Sequence, residues 1–136
     1  MPEDRSSTTP PMAIHAIRFD LQTVPAEVDH PRPERRVAGN PQRTTWNHYT
    51  NPTGEVFAGI WSCEAGSWRI AIGPNEDELF FVTQGRCRLH ADDGHVVECG
   101  PGQSLVLPAG FTGVFEVLEP MTKHYMIVER PDAGAV

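Results

Sequence analysis

From residue 56 onward the chain is a succession of short apolar runs, each closed within a few residues by a turn signal. The runs are 56–61, 67–72, 78–83, 86–91, 96–98, 104–107, 113–118 and 124–128. Between them stand Glu64-Ala65-Gly66, Gly73-Pro74-Asn75, Asp92-Asp93-Gly94, Gly100-Pro101-Gly102 and Pro108-Ala109-Gly110. No stretch long enough for a helix spaces its apolar residues at the helical period. Many short strands with frequent turns specify an antiparallel sandwich or barrel. Asp93-Gly94 between two runs marks a tight hairpin, because such turns need residues that tolerate positive φ. Of the 12 glycines and 13 prolines in the 136-residue chain, those from residue 56 onward mostly fall between the runs and punctuate them.

The N-terminal third reads differently. Residues 1–11 are polar and are expected to be mobile. Residues 13–21 (AIHAIRFDL) alternate enough to form a strand. Residues 24–42 carry Pro25, Pro31, Pro33 and Pro41, with Pro52 just beyond, and read as an extended arm with little regular structure. The expected organisation is a Pro-rich arm over 1–42, one barrel over 43–130 and a tail over 131–136. The length suits a single domain with a core of its own.

Charge and cysteine content narrow the function. Lys and Arg number 11 against 18 Asp and Glu, a net charge of -7. That argues against nucleic acid as a partner, since phosphate binding needs a basic face, and against an anionic membrane surface. No apolar run is long enough to span a bilayer, and the start of the chain lacks the apolar core of a secretory signal. The three cysteines, an odd number without a CxxC pair, point to reduced thiols in a cytoplasmic setting. None of GxSxG, HExxH, GxGxxG or a P-loop is present.

Function therefore rests on what lies inside the barrel. On the run 78–83 both faces are apolar apart from Glu78, which predicts burial on both sides. A carboxylate there is costly unless paired or hydrogen-bonded; the alternative is a wet position at the strand end, beside Glu76 and Asp77. Lys123 opens the last run: facing inward it would need an anion, facing outward it would be an ordinary surface cation. For the aromatic residues, core filling competes with ligand contact. His48 lies in a polar Asn47-His48-Tyr49 segment expected to be a solvated loop.

Two stretches together resemble the cupin superfamily: ELFFVTQG, from Glu78 to Gly85, and GQSLVLPAG, from Gly102 to Gly110. More narrowly, the chain resembles the single-domain cupins of the ethanolamine-utilisation and ureidoglycine-aminohydrolase group, over roughly residues 43–129, most of the chain. The resemblance implies an all-β cupin (jelly-roll) barrel of two antiparallel sheets, commonly a homodimer that packs or exchanges N-terminal strands. It also implies that the motif glutamate and a late lysine, here Glu78 and Lys123, belong to the site. Metal-binding cupins place an HxH pair shortly before the motif glutamate and a histidine three residues after the glycine matched by Gly110. Here those positions fall within 71–74 (Ala, Ile, Gly, Pro) and on Gly113. Only Glu78 survives of the expected ligands, and one carboxylate does not hold a transition metal. The expectation is a site without metal or other cofactor.

The expected function is metal-independent binding of a small polar metabolite, amine, amino-acid or ureide-like, in the barrel. Trp46, Tyr49, Trp61, Trp68, Phe80 and Phe115 are the candidate walls, Glu78 and Lys123 the anchors, and Arg69 an alternative cation for Glu78. A rival reading is an enzyme (isomerase, lyase or ureidoglycine-aminohydrolase-like hydrolase) with Glu78 as base and Lys123 or Tyr125 as acid. A third is an accessory protein whose pocket is vestigial.

Overall fold

The computed structural model describes residues 13–132. The expectation for residues 1–11, and most of that for the tail, concerns residues outside this range. Among the described residues nine strands, all joined antiparallel, form one curled sheet. They are β1 (Glu27–Asp29), β2 (Arg36–Ala38), β3 (Arg43–Thr50), β4 (Val56–Cys63), β5 (Gly66–Ala71), β6 (Glu76–Ala91), β7 (Val96–Cys99), β8 (Ser104–Leu107) and β9 (Thr112–Glu129). A 3-10 turn, Pro33–Arg35, precedes β2. Among the described residues no helix is long and apolar enough to cross a membrane.

The two long strands β6 and β9 are the spine. They pair with each other along their length. On its other side β9 pairs with β5 through residues 112–117 and with β4 through residues 121–128. Likewise β6 pairs with β8 through residues 78–81 and with β7 through residues 87–90. The barrel thus has two walls that share this spine: β1-β3-β4-β9-β6-β8 and β2-β5-β9-β6-β7.

The sequence reading divides each spine strand in two, at Gln84-Gly85 and at Glu119-Pro120, where the structure has corners. Gly85 has φ +77°, and a Cβ there would lie 2.2 Å from the Pro120 carbonyl oxygen. Only glycine lets the two strands pass so closely while bending. Register shifts at this corner change the phase of β6: Glu78, Phe80 and Val82 face inward before it, Cys87 and Leu89 after it. Because both halves keep their ladder partners, the bend does not end the strand.

Three expectations change. Residues 13–21 form no strand; the segment is tied down instead by Phe19, which stacks on the His48 ring at 4.9 Å, and by the Asp20 amide, which donates to His48 Nε2 at 3.0 Å. The segment around His48 is not a loop but part of β3, and His48 sits where a bulge shifts the β3–β4 register. The run 78–83 is buried on one face only, since Leu79 is 50% and Phe81 42% exposed. The Pro-rich stretch adds two three-residue edge strands, β1 on β3 and β2 on β5.

The core is centred on Phe80, Val82, Cys87, Leu89, Phe115, Val117 and Met121. All three cysteines are free and buried. Burial pushes the Cys63 and Cys87 thiols up to about 12, so these are packing groups rather than nucleophiles.

Candidate functional site

A cavity of about 580 Å³ lies against the inner face of the β1-β3-β4-β9 wall. On its floor the Lys123 ammonium donates to Glu78 Oε2 at 2.8 Å. Glu78 is 9% exposed and Lys123 4%. The strand register brings them together. Lys123 is opposite Val82 on β6 and Trp61 on β4, and its side chain passes over Phe80 to reach Glu78. The ammonium lies 4.0 Å from the Phe80 ring centre, 4.6 Å from Trp61 and 5.1 Å from Phe115. An ion pair this buried survives because each charge has its partner, and the ring faces add further stabilisation of the cation.

Tyr125 stands beside the pair. Its hydroxyl donates to Asn47 Oδ1 at 2.7 Å. Asn47 belongs to β3, so the ring must cross β4, and it does so at Gly59, which is opposite both residues. A Cβ at Gly59 would lie 2.9 Å from the Tyr125 hydroxyl and 2.1 Å from the Trp46 carbonyl oxygen. Burial first, then the Glu78 and Glu27 carboxylates, push the Tyr125 phenol up to about 12. With its proton committed to Asn47, the oxygen offers the cavity lone pairs only.

The mouth is charged as well. Arg43 of β3 donates through Nε and Nη2 to the two Asp29 oxygens of β1, each at 2.8 Å, and its guanidinium lies 5.2 Å over Trp68. Glu27 and Thr45 complete this rim, while Phe57, Trp61, Trp68 and Phe115 form the aromatic side. Trp68 and Phe115 stack at 5.2 Å with an 11° interplanar angle.

The structure gathers Glu78, Lys123, Tyr125, Trp61, Trp68 and Phe115 at this cavity, with Phe80 directly under the ammonium. The other three candidates are elsewhere. Trp46 and Tyr49 fall on the opposite face of β3 from the lining residues Thr45, Asn47 and Thr50. Arg69 faces outward and pairs with Asp92 at 2.8 Å, so the partner of Glu78 is Lys123. Sequence reasoning missed Glu27, Asp29, Arg43, Thr45 and Asn47. The signal available for three of them was the Arg43-x-Thr45-x-Asn47 alternation of a strand.

Metal-binding relatives of such barrels suggest testing whether these residues suit a metal. They do not. Among the described residues no three His, Cys, Asp or Glu side chains gather as a metal site. Ile72 lines the cavity where one of the HxH histidines would stand. At Gly113 a Cβ would lie 2.0 Å from the His90 carbonyl oxygen, so that position is closed to any side chain unless the backbone shifts. Glu78 itself is engaged by Lys123.

A curled antiparallel jelly roll with a cavity between its walls is the architecture of a cupin. The chain belongs to the EutQ-like cupin domain family, whose model matches residues 50–125. It is similar in fold to the EutQ protein of Clostridium difficile, with a TM-score of 0.59 and 20% identity over 70% of this chain and 75% of that one. A protein of unknown function from Pseudomonas syringae aligns with a TM-score of 0.69 and 17% identity over 81% of this chain and 46% of that one. A putative ethanolamine utilization protein from Salmonella typhimurium gives 0.59 and 13% identity over 80% of this chain and 99% of that one. At these identities the likeness concerns the fold alone.

Proposed function

We propose that this cupin binds a small polar metabolite in the barrel, without metal, and that Glu78 and Lys123 anchor it. The observation that carries the reading is the buried Glu78–Lys123 pair on the floor of an aromatic-walled cavity. A stability-driven core replaces such a pair with apolar groups at no loss; a pair kept at the floor of an open cavity serves whatever enters. The free acceptors there, Glu78 Oε1, the Tyr125 oxygen and the Glu27 carboxylate, favour a ligand that brings N–H or O–H donors. Amines, amino acids and ureides meet that need, which supports the same ligand class as the sequence reading. Thermal-shift screening of those classes tests it: hits are expected in wild type and lost in Glu78→Gln, and an unresponsive wild type across the panel would sink the reading.

The outer face supports a second copy of the chain as partner. Leu79, Val106 and Met126 lie side by side across β6, β8 and β9, with Phe81 next to them, and all four are exposed. The arm anchored by Phe19 beside this face carries Ile14 and Ile17, also exposed. A two-fold pairing offers each bare surface to the other. Light scattering of wild type against Phe81→Ser tests this; a monomeric wild type at micromolar concentration contradicts it.

A further inference from the structure

Lys123 is the one lysine of the chain; every other member of its 11 Lys and Arg residues is arginine. Where the fold needs only a positive charge, as at Arg43, Arg69, Arg86, Arg88 and Arg130, it uses the guanidinium, which keeps its proton and is no nucleophile. At the cavity floor alone it places an amine, whose nitrogen can lose a proton and attack carbon. That amine is hydrogen-bonded to a carboxylate at 2.8 Å and opens onto a cavity large enough for a small molecule.

We infer that Lys123 captures a short hydroxy- or amino-substituted aldehyde or ketone as an iminium, with Glu78 moving the protons. This rests on the reading that the cavity takes a small polar molecule, and adds a covalent step to it. A proton first passes from Lys123 Nζ to Glu78, leaving an amine and a carboxylic acid. The nitrogen lone pair attacks the carbonyl carbon while the π electrons move to oxygen, which takes the proton from Glu78. Glu78 then removes a proton from nitrogen, giving a neutral carbinolamine. It returns that proton to the hydroxyl, water leaves, and the nitrogen lone pair forms the C=N bond. The net change is ammonium plus carbonyl to iminium plus water, with one positive charge before and after. The charge stays within reach of the Phe80, Trp61 and Phe115 rings and beside the Glu78 carboxylate, so the surroundings that hold the ammonium also hold the product. The donor-bearing substituent meets Tyr125 oxygen and Glu27, the acceptors left free at the wall and mouth.

The chain makes the test clean, because the only other amine is its N-terminus. Full-length protein is incubated at pH 7 with glycolaldehyde and cyanoborohydride, which reduces an iminium to a stable secondary amine, and the sites are read by peptide mass spectrometry. The expected result is modification at Lys123 at least about tenfold faster than in the urea-unfolded chain, slowed about tenfold or more by Glu78→Gln. Propionaldehyde, which lacks the donor group, is expected to react more slowly. Adducts confined to the N-terminus, or a Lys123 rate no higher than in the unfolded chain, would overturn the inference. If trapping fails while the ligand screen gives hits, the covalent step alone falls; if both fail, the cavity reading falls with it.

Discussion

On the β7 side of the corner in β6, Cys87 and Leu89 face the core while Arg88 and His90 face outward to Glu98 and Glu116. On the β8 side of the same strand, Glu78 faces inward while Leu79 and Phe81 lie bare outside. A similar division holds along β9, where Val117 points into the core of one wall and Lys123 and Tyr125 into the cavity of the other, with Phe115 serving both. One strand pair therefore serves two purposes, with the phase of β6 reset at Gly85. Around Cys87 and Leu89, β6 follows the ordinary rule of apolar inside and charged outside, and this segment stabilises the barrel. The wall around Glu78 and Lys123 departs from that rule twice, and departures of this kind mark functional surfaces.

Perturbing each wall should give a different pattern of damage. Lys123→Met leaves the Glu78 carboxylate buried and alone, and should cost about 3–5 kcal/mol in urea unfolding at pH 7. Adding Glu78→Leu should restore most of that stability while ligand response stays lost; a double variant as unstable as the single one breaks the account of the pair. Leu89→Ala, in the stabilising wall, should cost about 2–4 kcal/mol through the cavity it leaves, with ligand response intact below its lowered Tm.

The alkaline limb sharpens the picture. The Cys63 and Cys87 thiols are raised from 9.0 to about 12. For groups raised on folding, stability is full below the unfolded value and is lost as pH rises through the folded one. Stability should therefore fall between pH 9 and pH 12, and Cys87→Ser should flatten that fall. An alkaline limb unchanged in that variant would remove the thiol from the explanation. On the acid side, hydrogen bonds from Arg69 and Thr112 hold Asp92 below its usual range, as those from Arg88 and Arg86 do for Glu98. Their contributions are present at neutral pH and fade in acid as these carboxylates protonate. Tyr125→Phe should cost about 0.5–1.5 kcal/mol for its hydrogen bond to Asn47. Arg88→Ala, on the exposed outer face, should leave Tm within measurement scatter.

Much of this was legible in the chain. The Asp93-Gly94 hairpin, the inward glutamate of ELFFVTQG and the departures at positions 71–74 and 113 all follow from turn chemistry, alternation and resemblance. The misses have physical causes. The polar segment around Asn47 hid β3, because its inward face lines a cavity rather than a core and so lacks the usual apolar alternation. The bulge at His48 reset that strand's phase, so Tyr49 could not be assigned a face by counting. The rim pair Arg43–Asp29 joins residues far apart in sequence, one of them in the Pro-rich stretch, and only strand pairing shows them as neighbours.

The most direct test of the central claim is calorimetric titration of chelator-treated protein with the amine, amino-acid and ureide panel, with elemental mass spectrometry on the same sample. The account predicts saturable binding by metal-free protein, and no binding once Glu78 and Lys123 are both replaced by apolar residues. Near-stoichiometric metal whose removal abolishes binding would contradict it.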